Sequence, residues 1–214
     1  MRLFAVTLAR DKILIDKTKK KMKLYILPLL FMACIPSAAQ EILMKDIFAT
    51  APDSVFPLLT KNNKLDCIDF IENGMTAKVK NKMEEWSELK SLTPRYLLMQ
   101  VSERSDVAMM LVGDSVICTV NTYSGPAKDS EVRFYDLQWR PLERKETVRP
   151  RVSDFIRGEM DAESKGLLEA MPFMSASLNP EDNTLTWQLQ TTELPTDKRK
   201  AADGCLQPIV LKLE

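Results

Sequence analysis

The chain has 214 residues, 30 basic and 30 acidic side chains, and no histidine. Apolar residues make up 45% and charged ones 28%, which is a globular rather than a disordered or fibrous composition. Zero formal charge gives no bulk basic field for nucleic acid, and the missing imidazole excludes a Ser-His-Asp triad, a Cys-His pair and His-ligated zinc or haem.

Four lysines fall within Lys19–Lys23, an almost wholly apolar run follows from Leu24 to Ile35, and Pro36-Ser37-Ala38-Ala39-Gln40 closes it. This pattern predicts a signal peptide over residues 1–39, cut after Ala39, with Ser37 and Ala39 in the two small-residue subsites. The run is shorter than the roughly 20 residues of a spanning helix, so no transmembrane segment is expected after its removal. Met22 opens a complete signal peptide by itself, so residues 1–21 are expected to be an overcalled start. Two other readings are a short buried helix over the same run and a lipoprotein cut before Cys34. Residues 1–39 carry eight basic and two acidic side chains, so the exported chain of 175 residues has 22 against 28 and a net charge of −6. That chain, 40–214, is expected to be a single α+β domain, periplasmic or secreted, with no general attraction for nucleic acid or anionic lipid.

Three cysteines remain beyond the leader: Cys67, Cys118 and Cys205. Three cannot all pair within one chain. Cys67 beside Ile68 and Cys118 after Val116-Ile117 read as small core hydrophobes. A disulfide between two of the three stays open as the other reading.

In chain order, Ile42 to Phe48 reads as a short amphipathic helix, and Pro52 and Pro57 punctuate the loop behind it. A second helix is expected over Lys64–Glu72, capped by Asn62 or Asn63, burying Leu65, Ile68, Phe70 and Ile71, and stopped at Asn73-Gly74. The period then moves to two. Met75–Lys80 is a first strand with Met75, Ala77 and Val79 on one side, and Asn81–Lys90 fits helix and strand equally. Arg95–Val101, Asp106–Val112, Val116–Tyr123 and Glu131–Tyr135 are strands. The short turns between them, Gly113-Asp114 among these, make them antiparallel neighbours in a β-meander. Pro141 and Pro150 bracket a charged connection at Glu143–Glu146. Ser153 is the expected cap of a helix holding Phe155, Ile156 and Met160. Asp161 caps its continuation, Ala162–Met171, which buries Leu167, Leu168 and Met171. Phe173–Leu178 and Thr184–Leu189 form a hairpin, Glu193–Gly204 reads as a mobile polar loop, and Gln207–Leu213 is a closing strand. The fold class is α+β: an antiparallel meander sheet of about six to eight strands with a few helices packed on one side and one face free to stay wet.

Chemistry-bearing patterns are sparse. Asp161-Ala162-Glu163-Ser164-Lys165-Gly166 faintly resembles a calcium loop. Lys165 and Pro172 occupy the positions where an acid and a Glu are required, so it reads as a helix cap. Glu181-Asp182-Asn183 is what a hairpin turn demands. Asp129, Glu131 and Asp136 are candidates for a glycosidase-type carboxylate pair, which needs a cleft and a separation of roughly 5–10 Å; solvated charges explain them more simply. Lys198-Arg199-Lys200 reads as a solvated loop. Ser164-Lys165 are neighbours that diverge on a helix, and no glycine-rich phosphate loop occurs. No catalytic, cofactor or metal residue is therefore assigned. Tyr96, Tyr123, Phe134, Tyr135, Trp139, Phe173 and Trp187, with many methionines, read as sheet core. The functional alternative is an adaptable apolar groove for a lipid, a peptide or a partner's side chain.

The signal peptide, Met44-Lys45-Asp46-Ile47-Phe48 with Pro52 and Leu58-Leu59, Asn62-Asn63-Lys64-Leu65-Asp66, and the stretch from Gly113 to Trp139 together resemble an uncharacterised Bacteroidales family of small exported proteins, a domain of unknown function. The resemblance brings no catalytic residues and implies a Gram-negative envelope location. The expectation is a non-enzymatic exported protein that binds a protein or an apolar ligand through a sheet–helix surface. The alternatives are a carrier of apolar ligands on a curved sheet and a carboxylate-dependent hydrolase.

Overall fold

Seven strands lie side by side in the order in which the chain makes them. They are β1 (Lys78–Lys80), β2 (Trp86–Leu92), β3 (Tyr96–Ser102), β4 (Ser105–Val112), β5 (Val116–Ser124), β6 (Lys128–Asp136) and β7 (Pro141–Leu142). Every neighbouring pair is antiparallel, as short connections require. Here and throughout, the protein is described from a computed structural model covering residues 42–214. The expected leader, its cut site and Cys34 lie outside those residues. The α+β class and the meander are as the sequence predicts. Between β4 and β5, Gly113 takes φ 55°, in the left-handed region where a side chain is strained. The ambiguous segment after β1 is a turn followed by strand. The buried Asn81 side chain accepts from the N–H groups of Met83 and Glu85 and donates to Ser87 Oγ and Val101 O, which delays the strand until Trp86.

Two helices, α1 (Met44–Thr50) and α2 (Lys61–Glu72), cover one face of the sheet. The cap of α2 is Thr60, not Asn62 or Asn63. Its hydroxyl accepts the Asn63 N–H and the Asn63 side chain accepts the Thr60 N–H, both at 3.0 Å. The buried face of α2 is Lys64, Cys67 and Ile68, and Leu65 is left exposed. The Lys64 ammonium donates to Ala51 O behind α1, which turns that face inward and Leu65 out. Met75, expected beside Ala77 and Val79, is also exposed.

The last strands form a sheet of their own, in the order β10 (Ile209–Lys212), β9 (Thr184–Leu189), β8 (Met174–Asn179), packed on the other face of the meander. The helices around it depart from expectation in three places. Ser153 is no cap: α3 (Val152–Phe155) lasts one turn behind Arg151, whose N–H is accepted by Asp154. It stops because the following backbone pairs with the C-terminal segment, Arg157 N–H to Cys205 O and Gln207 N–H to Phe155 O. Asp161 does cap α4 (Ala162–Ala170), which buries Leu168 and leaves Met171 exposed. The expected loop is instead α5 (Thr196–Cys205). Arg199 holds it by donating to Leu194 O and Thr192 O, and Thr191 bonds Asp203.

Both faces are dry at the middle of the meander. On β4, Val107, Met109 and Leu111 enter the core under the helices, while Ala108, Met110 and Val112 enter the core under the small sheet. The continuous apolar run of β4 is the sequence mark of a strand covered on both sides. The wet face survives only in patches, one of them where Tyr123, Glu131 and Arg133 stand exposed on β5 and β6.

Candidate functional site

β6 is paired with β5 along its whole length, from Val116↔Asp136 to Ser124↔Lys128, without a register break. On its other side only Phe134 and Tyr135 are paired, with Leu142 and Pro141 of β7. Beyond Leu142 the chain stands off as an arch and returns at Arg149. The gap is a cleft of about 640 Å³ that touches every residue of β6 from Asp129 to Tyr135. Glu143, Thr147 and Arg149 form the facing wall, and Trp187 of β9 also lines it. Its size is that of an ordinary ligand site.

The arch is anchored at both ends. Near β7, the Arg144 guanidinium lies 5.2 Å from the Phe134 ring centre, bonds the buried Glu146 carboxylate at 3.3 Å and donates to Glu214 O at 2.9 Å. At the far end, both Nη atoms of Arg149 donate to the Asp129 carboxylate, and Arg149 Nη2 also reaches Pro172 O. Asp129 Oδ1 accepts the Met174 N–H at 3.0 Å, so one carboxylate ties β6, the arch and the small sheet together. Beside it, the Ser130 hydroxyl accepts the Ala176 N–H at 2.9 Å. A cleft held open this way needs little ordering before it binds.

Two residues that line the cleft each carry a buried polar atom without a hydrogen-bond partner, Trp187 Nε1 and Thr147 Oγ1. Trp187 is only 1% exposed and its indole N–H is a desolvated, unpaired donor, so it lies beneath the cleft surface rather than open to it.

The three candidate carboxylates do not meet as a pair. Asp129 and Glu131 are two apart on one strand face, and Asp136 lies at the other end of β6, about 17 Å along the strand from Glu131. Each holds its own arginine: Asp129 with Arg149, Glu131 with Arg133 at 2.7 Å, Asp136 with Arg140 at 2.6 Å. Burial disfavours ionisation of Asp129, but the Arg149 and Met174 donors outweigh it and hold the carboxyl below the usual range. The Arg140 N–H and guanidinium hold Asp136 down in the same way. Both are therefore ionised and occupied, where a general acid needs a raised pKa.

The other singled-out residues sit apart from the cleft. Asp182 and Asn183 are in the β8–β9 turn, with Asn183 at φ 54°. Lys198 lies on α5 and pairs with Glu163 and Asp161 of the α4 cap. Ser164 is buried, and Lys165 points to Glu169. The three cysteines among the described residues are free, and burial pushes the Cys67 thiol up to about 11 and raises that of Cys118 too, which makes these two core atoms rather than thiolates. Among the described residues, no three acidic or thiol side chains converge as metal ligands, and no helix is long and apolar enough to cross a membrane. Sequence reading did not single out Arg149, Thr147 or Arg144. The pairing that brings them to β6 spans the Pro141–Pro150 bracket, and that bracket was their one sequence signal.

The fold and site define an α+β protein with an open meander sheet and a preformed cleft at a strand edge. Residues 35–214 match the family described as "Protein of unknown function (DUF3256)", and the chain belongs to it. It is similar to the solved "Structure of a domain of an uncharacterized protein from Porphyromonas gingivalis W83". Identity is 26% and TM-score 0.64, over 78% of this chain and 92% of that one. No curated protein matches it.

Proposed function

We propose that the protein is a non-enzymatic binding protein of the cell envelope or exterior, and that the β6 cleft is its binding site. The observation that carries this reading is a preformed cleft that runs along a half-unpaired strand. The clamped, ionised state of Asp129 and Asp136 supports binding over hydrolysis by carboxylates. The charged residues of the lining, Glu131, Arg133, Glu143 and Arg149, stand beside apolar ones and supply polar contacts that the cargo of an apolar carrier would leave unused. The envelope location rests on the Lys19–Ala39 pattern alone.

Two measurements test the reading. The protein recovered from its host should begin at Gln40; an N-terminus that retains Leu24–Ile35 would remove the export half. The Trp187 indole N–H resonance should move when a panel of unstructured peptides, soluble oligosaccharides and fatty acids is titrated in. A response only to fatty acid would favour the apolar carrier, and release of a chemically altered product would favour a hydrolase.

A further inference from the structure

We propose that the cleft takes an extended polypeptide segment of a partner protein, which adds to the free edge of β6 as an extra strand. This rests on the binding reading above and names its ligand class. The argument starts from the direction of the backbone groups. The Asp136 N–H donates away from β5, to Arg140 O at 3.0 Å, and the ladder to β5 is unbroken along the strand. Alternate residues of a strand point their N–H and C=O to the same side. Phe134, Val132 and Ser130 therefore also direct theirs away from β5. Phe134 is paired with Leu142, but neither Val132 nor Ser130 has a ladder partner on that side among the described residues. Both line the cleft, each with only 3% of its surface exposed. Two donors and two acceptors are thus presented at the repeat of an extended chain, about 7 Å apart.

The surroundings select the occupant. A strand edge of this kind binds another chain through its main chain. The wall of Glu143, Thr147 and Arg149 stands opposite β6, so the space suits one extended segment and not the edge of a second sheet with its neighbour strand attached. The charges are mixed: Asp129, Glu131 and Glu143 against Arg133 and Arg149, with Asp129 and Glu131 already paired to the two arginines. A polyanion finds no unpaired cation there, whereas a neutral main chain with alternating donors and acceptors is the complement of the surface.

The test uses the full chain and a displayed library of random peptides about a dozen residues long, with chito-oligosaccharide as the comparison probe. Selected peptides, resynthesised, should slow amide exchange at Ser130 and Val132 at least tenfold and shift the Trp187 indole resonance. A proline scan of the peptide should abolish binding at every second position. The variant Val132→Pro should bind at least tenfold more weakly; if it does not fold, the alternating pattern in the peptide scan decides. Peptides that bind while Ser130 and Val132 exchange as before, or that lose binding at consecutive positions, overturn the proposal. If no peptide is selected but the oligosaccharide shifts Trp187, the polypeptide class falls and the binding reading stands. If neither probe shifts Trp187, both fall.

Discussion

The meander has two outer edges, and they are finished differently. On one side it ends in β1, three residues long, with the ammonium groups of Lys78 and Lys80 lying 5.2 and 4.4 Å from the Trp86 ring centre. A short strand carrying lysines discourages any further strand from pairing. On the other side it ends in β7, two residues that begin with Pro141, which has no N–H to offer. Both terminal strands are thus blunted. β7 covers only the last part of β6, however, and leaves the backbones of the buried residues Ser130 and Val132 without a strand partner beside a walled cleft. A sheet that protects its ends and leaves a gap beside one of them is built to keep that gap.

The sharpest way to break the comparison is a pair of proline variants. Glu131→Pro removes an N–H that faces β5 and should cost about 3 kcal/mol or more, since it deletes a ladder bond and leaves its acceptor unpaired. Val132→Pro removes an N–H that faces the cleft and should cost about half as much, mostly in lost packing. Urea denaturation of both gives the order, and equal losses would mean that β6 is not free at Val132. Next in size is the clamp at the end of the cleft. Asp129→Ala leaves the Met174 N–H and the Arg149 guanidinium without their acceptor and should cost about 1 to 2 kcal/mol by the same measurement.

The clamp also sets a pH dependence. Its folded pKa lies below the ordinary 3.8. The stability it contributes is therefore present above that value and is lost as pH falls through the lower folded value. Asp129→Asn should lose less stability than the wild type on acidification through this range, and identical acid curves would show that the clamp contributes nothing. The smallest effect belongs to the β1 edge. Replacing Lys78 and Lys80 by threonine should cost about 0.5 kcal/mol each or less, while sedimentation should reveal concentration-dependent self-association that the wild type lacks.

Much of this fold is legible from residues alone, for reasons that also explain what is not. The strands from Tyr96 to Asp136 alternate or run apolar, and turn residues separate them, so local pattern and final structure agree. The α5 helix is hidden because only Ala202 on it is buried; side-chain bonds linking Arg199 and Asp203 to Thr191–Leu194 just before it hold it, and no periodicity announces them. Ser153 misleads for a similar reason, since pairing of the Ile156 backbone with Leu206 ends the helix after one turn. At the site, Asp129 and Glu131 are visible as charges, but their roles depend on which arginine each meets. Arg149 meets Asp129 only because β7 separates from β6 after two residues. The cleft is the product of a pairing that stops after Leu142, and the sequence brackets that stop between Pro141 and Pro150 without saying what lies there.

Amide hydrogen exchange along β6 in the free protein tests the central claim most directly. The account predicts alternation: slow exchange at Glu131 and Arg133, whose N–H groups face β5, and fast exchange at Ser130 and Val132. Uniformly slow exchange from Asp129 to Arg133 would mean that the outer edge is already paired, and would contradict the account.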